Sequence, residues 1–169
     1  AAHFHPGRFA DTRLEQLALG VGRALDTLVP RHKRIPLPRL PSSANRRVLH
    51  VTHDVQNVGG HTRLIRRWAE ADPESMHSVL LVNQRSGATV PEWLKSAVAS
   101  TGGAVFVTPA AATLCQKAMW LREISHKCAD IVALHVIWPD VVPVVALALE
   151  NAPPTLFVDQ CDHQFGLGS

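Results

Sequence analysis

Cysteine is scarce and unpatterned in this chain. Cys115, Cys128 and Cys161 form an odd set with no C-x-x-C pair, which argues against a disulfide framework and a structural zinc site and suits a reducing compartment. Long apolar runs are missing as well. The longest, Val141 to Leu149, contains Pro143 and is far too short to span a bilayer. The opening Ala1-Ala2-His3-Phe4-His5-Pro6 has neither a basic n-region nor an apolar h-region, so no secretion signal is read there. The expected location is cytoplasmic, with room for peripheral association with a membrane.

The common nucleotide fingerprints are also absent. No G-x-G-x-x-G follows the first strand-like run, and Gly20-Val21-Gly22 sits in a helical stretch without the third glycine. No G-x-x-x-x-G-K-[ST] occurs either, so dinucleotide oxidoreductases and P-loop hydrolases are poor readings. The net charge is only +3, with much of the positive charge in Arg31-His32-Lys33-Arg34, then Arg39, Arg46 and Arg47. That run is short, broken by proline and free of interleaved aromatics, so a solvated linker is a better reading than a nucleic-acid surface.

What is present is a chain able to fold. Its 169 residues are 46% apolar and 18% charged, which permits a buried core and opposes wholesale disorder. Residues 1–45 read as an amphipathic helix followed by a Pro-rich basic linker, and residues 46–169 as the main domain. The helix is expected over 11–29, opened by a Thr12-x-x-Glu15 capping box. Leu14, Leu17, Val21, Leu25 and Leu28 make its apolar stripe, which a partner or the main domain must cover. Gly20 and Gly22 weaken it by roughly 1 kcal/mol each relative to alanine.

Five apolar, β-rich runs follow: Arg47–Thr52, Ser78–Asn83, Ala104–Thr108, Ile131–Ile137 and Thr155–Asp159. They lack alternation, as expected of parallel strands covered on both faces. Helical patterns lie between them. Leu64, Ile65, Trp68 and Ala69 share one face, as do Trp93, Leu94, Ala97 and Val98, and Leu114, Ala118 and Leu121 mark a third helix. Asp140 is placed to cap a fourth helix running to Glu150. Trp68, Trp93 and Trp120 read as packing residues. Strands alternating with helices predict an α/β fold, a Rossmann-like doubly wound parallel sheet of about five strands. The last run falls close to Ser169, so a sixth unit or a second domain is expected beyond it and the sequence reads like a front half.

Ligands of open α/β sheets gather at the carboxyl ends of the strands. After the first strand comes a loop ending in Gly59-Gly60-His61-Thr62, followed by a helix. The glycines allow close approach of a ligand and positive φ, and the helix start favours an anion. A tight turn is the plain alternative. Arg63, Arg66 and Arg67 add positive charge, at least two of them as a solvated face. His50 reads as structural and His53 as facing the cleft. His135 interrupts the fourth strand near its end, either as a site residue or as a satisfied core histidine. Asp159, Asp162 and His163 gather at the end of the fifth strand, where an aspartate beside a histidine suits acid–base work on a hydroxyl, with a capping aspartate and a surface histidine as the plain alternative. His3-x-His5 has no strand around it and carries no metal reading, and Cys161 has no activating partner in the sequence.

These loops resemble the N-terminal half of GT-B glycosyltransferases, in particular a bacterial family-four-like group. The resemblance covers about residues 46–168. It rests on Arg47-Val48-Leu49-His50-Val51 leading to Gly59-Gly60-His61, on Ala129-Asp130-Ile131-Val132-Ala133-Leu134-His135, and on Val158-Asp159-Gln160-Cys161-Asp162-His163-Gln164-Phe165. The last stretch is similar to N-H-A-D-H-x-F-W-L-G, with Gln160 in place of its first histidine and Gly166 in place of its tryptophan. The resemblance implies a nucleotide-sugar donor as co-substrate, an acceptor of unknown identity, no metal or other cofactor, and a C-terminal domain beyond this half. It places Gly59 and Gly60 near the donor diphosphate and His135 at the transferred sugar, with His61, Thr62, Asp162 and His163 lining the cleft. A fragment of this kind is expected to be inactive by itself. The competing expectation is a non-catalytic Rossmann-like interaction domain that self-associates or binds a partner through Leu14–Leu28. A hydrolase using His163 is a third reading.

Overall fold

A computed structural model describes residues 11–40, 46–85, 87–135 and 140–158. Its centre is a five-stranded parallel sheet: β1 Arg47–Thr52, β2 Met76–Leu81, β3 Val105–Val107, β4 Ile131–His135 and β5 Thr155–Phe157, in the order β3-β2-β1-β4-β5. The helices are α1 Thr12–Arg23, α2 Leu25–Leu28, α3 Gly60–Ala71, α4 Glu92–Ser100, α5 Leu114–Cys128 and α6 Val142–Ala146. The expected doubly wound α/β fold is the one observed. Strand β2 begins two residues earlier than its apolar run suggested, because Met76 pairs with Arg47 at the sheet's amino edge.

Alternate residues of each strand face different helices, and the two faces form separate cores. Leu49, Val51, Leu80, Val82, Phe106, Val132 and Leu134 pack with α5, α6 and the N-terminal helices. Val79 and Leu81 turn to the other side and pack with Ile65 of α3 and with Leu94 and Val98 of α4. Burial on both faces removes any need for polar residues on the strands, hence the near-continuous apolar runs. Helix α5 begins at a capping box in which Thr113 accepts from Gln116 N and the Gln116 side chain accepts from Thr113 N.

The N-terminal region departs from expectation in four ways. Asp11, rather than Thr12, caps α1: its carboxylate accepts from Arg13 N and Leu14 N, each at 3.1 Å. The helix breaks at Ala24, so residues 11–29 form two helices. The face that packs inward carries Ala18, Gly22 and Leu25, while Leu14, Leu17, Val21 and Leu28 stay exposed, Leu17 at 65%. The segment after α2 is no free linker. Arg31, His32 and Lys33 are solvated, but Ile35, Leu37 and Leu40 pack on the core. Trp120 Nε1 donates to Pro36 O at 3.2 Å, and Arg34 bridges Asp26 and Glu123.

Arg122 fixes this arrangement. Its buried guanidinium donates to Gly22 O of α1 and to Val145 O and Ala146 O of α6 at 2.7 to 2.9 Å. Burial lowers its pKa from the ordinary arginine value, partly offset by Asp26. Arg122 thus satisfies the last carbonyls of α6, which ends at Ala146, short of the expected Glu150. No helix among the described residues is long and apolar enough to cross a membrane.

Gly22 is a contact residue rather than a weakness of α1. A Cβ there would meet Ala148 Cβ and lie 2.6 Å from Val145 O, whereas Gly20 has nothing within 4 Å. Gly22→Ala is therefore expected to destabilise by about 1–3 kcal/mol through overpacking. Gly20→Ala should stabilise by roughly 0.5–1 kcal/mol through helix propensity. Urea unfolding of both variants checks the pair, and equal effects would refute the close α1–α6 approach.

Candidate functional site

The sheet order reverses between β1 and β4, the switch point at which open α/β sheets offer a ligand crevice. His53 follows β1 at this point, and Asp140 follows β4 immediately before α6. His53 Nδ1 lies 3.0 Å from Asp140 Oδ2, and the other oxygen of Asp140 accepts from Val142 N at 3.1 Å. Asp140 thus holds the start of α6 and orients the histidine at once. On the far side of the ring, Asn83 Nδ2 is 3.2 Å from His53 Nε2, and Lys117 Nζ donates to Asn83 Oδ1 at 2.7 Å. Asn83 sits beside His53 because the β1–β2 ladder continues past the strand ends, Asn83 N donating to His53 O at 2.7 Å.

The hydrogens of this chain are fixed by its ends. Lysine only donates, so Asn83 turns its oxygen to Lys117 and its amide nitrogen to His53. His53 Nε2 must then accept, which puts the neutral ring's hydrogen on Nδ1, facing the Asp140 carboxylate. Lys117 is 5% exposed and Asp140 7%, while the His53 side chain remains 27% exposed. The outcome is a carboxylate-oriented imidazole whose second nitrogen points its lone pair into the crevice, covered by the longest bond of the three.

A second polar array lies on the opposite sheet face. In the parallel register His77 of β2 stands opposite Val48, and His135 of β4 opposite Thr52, with His50 of β1 between them on the same face. The three rings therefore run diagonally across adjacent strands, two residues higher at each step. His77 Nδ1 is 2.9 Å from His50 Nε2, and His50 Nδ1 is 2.9 Å from His135 Nε2. His77 Nε2 faces Asp72 O at 3.1 Å. Trp68 of α3 stands edge-on to His50 and His135. All three histidines are buried. Desolvation drives the His50 pKa well below the ordinary value, since a charge there would also be repelled by one on either neighbouring ring, and lowers that of His77 against the pull of Asp72. Desolvation, with His61 second, brings His135 to about 4.

Between these arrays lies the loop before α3. Gln84 holds Val55 through both backbone groups, and Arg85 reaches Asp54 at 3.0 Å. Thr62 is buried, its hydroxyl accepting from Gln56 N at 3.3 Å, so it shapes the loop. Gly59 is extended at φ 175°, and the positive-φ glycines of the described residues are Gly87 and Gly102. The expected positive φ is thus absent at Gly59 and Gly60. Open space remains: a Cβ at Gly60 meets nothing within 4 Å, and at Gly59 only Thr62 Oγ1 at 3.8 Å. His61 is half-buried and, after desolvation, is the neighbour that lowers the His135 pKa. Along α3, Arg63, Arg66 and Arg67 border a groove of about 400 Å³. Arg66 binds Glu70 and lies over Trp93, while Arg63 and Arg67 have no partner among the described residues.

The structure thus gathers Gly59, Gly60, His61, Thr62 and His135 at one sheet edge. Asp162 and His163 lie outside the described residues, as do Asp159, Cys161, Trp138, Val136, Ile137 and His3-x-His5. Cys128 is buried, its thiol pushed up to about 11, which makes it a packing residue. Asn83, Lys117 and His77 escaped the sequence reading, for nothing in the run of any one strand or helix marks them. Asp140 was legible only as a helix cap.

The histidine array predicts acid lability. An unfolded histidine titrates near 6.5, and these three bind protons less readily when folded, so the unfolded chain takes up more protons as pH falls. Stability is fully present above about pH 6.5 and declines below it, His135 alone contributing a loss on the order of 3 kcal/mol by about pH 4. Urea unfolding across this range should show the decline, and His135→Phe should flatten it. A pH-independent midpoint would contradict the buried neutral array. Against known proteins the chain matches no family model and no curated sequence, so the chemistry of this edge rests on its own geometry.

Proposed function

We propose that this chain is the acceptor-side domain of a GT-B-type glycosyltransferase, moving a sugar from a nucleotide-sugar to a hydroxyl-bearing acceptor. The observation that carries the reading is the Asp140–His53 pair at the crevice where the sheet order reverses. An acceptor hydroxyl replaces the 3.2 Å Asn83 bond at His53 Nε2 and gives that nitrogen its proton. Asp140 stabilises the resulting imidazolium. The freed oxygen attacks the anomeric carbon as the bond to the diphosphate breaks. Negative charge developing on the leaving diphosphate is met by the free N–H groups at the start of α3, with Gly59 and Gly60 leaving room for its approach. Arg63, in the first turn of α3, adds positive charge nearby. A second domain holding most of the nucleotide belongs to this reading.

One observation favours the alternative of an interaction domain. Leu14, Leu17, Val21 and Leu114 are exposed around a wholly apolar groove of about 280 Å³. That alternative expects a concentration-dependent dimer or complex, visible by sedimentation and lost in Leu17→Asp, with substitutions at the strand ends harmless.

The transfer reading expects His53→Gln to lower turnover by about 10²–10⁴-fold while the protein stays folded, as for loss of a general base. Asp140→Asn should act in the same direction. Gly60→Ala separates fold from function: with nothing near the added methyl, stability holds, yet donor binding weakens. Assays of the two-domain enzyme against a broad panel of nucleotide-sugars read all three. Absence of binding or turnover with every donor overturns the proposal.

A further inference from the structure

The histidine array is closed at one end and open at the other. A carbonyl oxygen only accepts, so His77 Nε2 carries a hydrogen and donates to Asp72 O. His77 Nδ1 is then bare and accepts from His50 Nε2–H, and His50 Nδ1 accepts from His135 Nε2–H in turn. The last ring is left with a bare Nδ1, buried and without a hydrogen-bond partner among the described residues. A purely structural array would finish on a satisfied group, because an unsatisfied buried donor or acceptor costs about 1–3 kcal/mol. This one stops at the carboxyl edge of the sheet, on the last residue of β4.

We propose that His77, His50 and His135 form a proton relay through the sheet, joining His135 Nδ1 at the carboxyl edge to the Asp72 carboxylate at the amino edge. A proton arriving on His135 Nδ1 releases the Nε2 hydrogen to His50 Nδ1. His50 passes its own Nε2 hydrogen to His77 Nδ1, and His77 gives its Nε2 hydrogen to Asp72 Oδ2, 3.5 Å away. One proton enters and one leaves. Every ring ends neutral with its tautomer reversed, and passage of a proton back from Asp72 restores the resting state. His135 Nδ1 thereby alternates between acceptor and donor without a lasting imidazolium in the core.

The surroundings suit this path. Asp72 is partly exposed and meets solvent, and the Ser75 hydrogen bond, then Arg46, hold its carboxyl below the usual range, so it rests ionised and gives up to solvent any proton it takes. Arg46 is also the cation nearest the His77 end, and His61 of α3 is the titratable group acting on His135. Between them Trp68 covers His50 and His135, and His50 is fully buried. A sheet interior that excludes water prevents the proton from leaving midway. The relay holds whether or not sugar transfer is the reaction at this edge.

Imidazole ¹⁵N NMR of the whole protein tests it without a substrate. The resting protein should show all three rings as Nε2–H tautomers, and their hydrogens should exchange with D₂O at one common rate. Asp72→Asn keeps the backbone carbonyl and hence the resting tautomers, but removes the exit, so the common rate should fall by about tenfold. His135→Phe should slow exchange at His50 and His77 likewise; if it unfolds, Asp72→Asn decides alone. An Nδ1–H tautomer at His135, unrelated exchange rates, or exchange unchanged in Asp72→Asn overturns the relay.

Discussion

Strand β1 is hydrogen-bonded on both sides, to β2 from Arg47 opposite Met76 through Thr52 opposite Leu81, and to β4 from Val48 opposite Ile131 through Thr52 opposite His135. Much else follows from that double register. It sets which residues of three strands share a face, and it brings the ends of β1, β2 and β4 level. A slip of one residue would send every side chain of a strand to the other face. His50 would leave its neighbours, Leu49 and Val51 would leave the α5 side, and His53 would part from Asn83. Apolar cores on both faces hold the register against such a slip.

Two polar systems use the same frame in different ways. The Asp140–His53–Asn83–Lys117 chain lies on the α5 and α6 side and ends in a partly exposed imidazole. The His77–His50–His135 array lies on the α3 side and is buried throughout. In each, a terminal group with a single hydrogen-bonding role settles the rings: a lysine that only donates in one, a carbonyl that only accepts in the other. Both reach the carboxyl edge, through His53 one residue past the end of β1 and through His135 as the last residue of β4. Such arrays are demanding, because every internal bond must be made for burial to be tolerated.

The N-terminal helices join this frame through Arg122, whose guanidinium gathers carbonyls from α1 and α6. The close approach explains why a glycine stands at position 22 and a small residue at Ala18. It also turns the larger side chains of α1 outward. Leu14, Leu17 and Val21 border an apolar groove that includes Val141 and Val142, the residues next to Asp140. The groove and the His53 crevice are therefore neighbours at one end of the sheet.

The sequence by itself determined the parallel α/β class, because strands covered on both faces leave a mark that survives without coordinates: short apolar runs separated by amphipathic helices. It also marked the glycine loop and His135, since the rule that ligands gather at strand ends needs only the strand order along the chain. Only the tertiary structure decided which face of α1 is covered, for the stripe of large residues and the stripe of small ones are equally helical. Only the register could bring His50 to His77 and His135, residues 27 and 85 positions away. The partnership of His53 with Asp140 likewise spans 87 positions and depends on β1 and β4 being neighbours. Local pattern reports burial and periodicity. Which polar atoms meet is fixed by strand pairing, which no single stretch of chain contains.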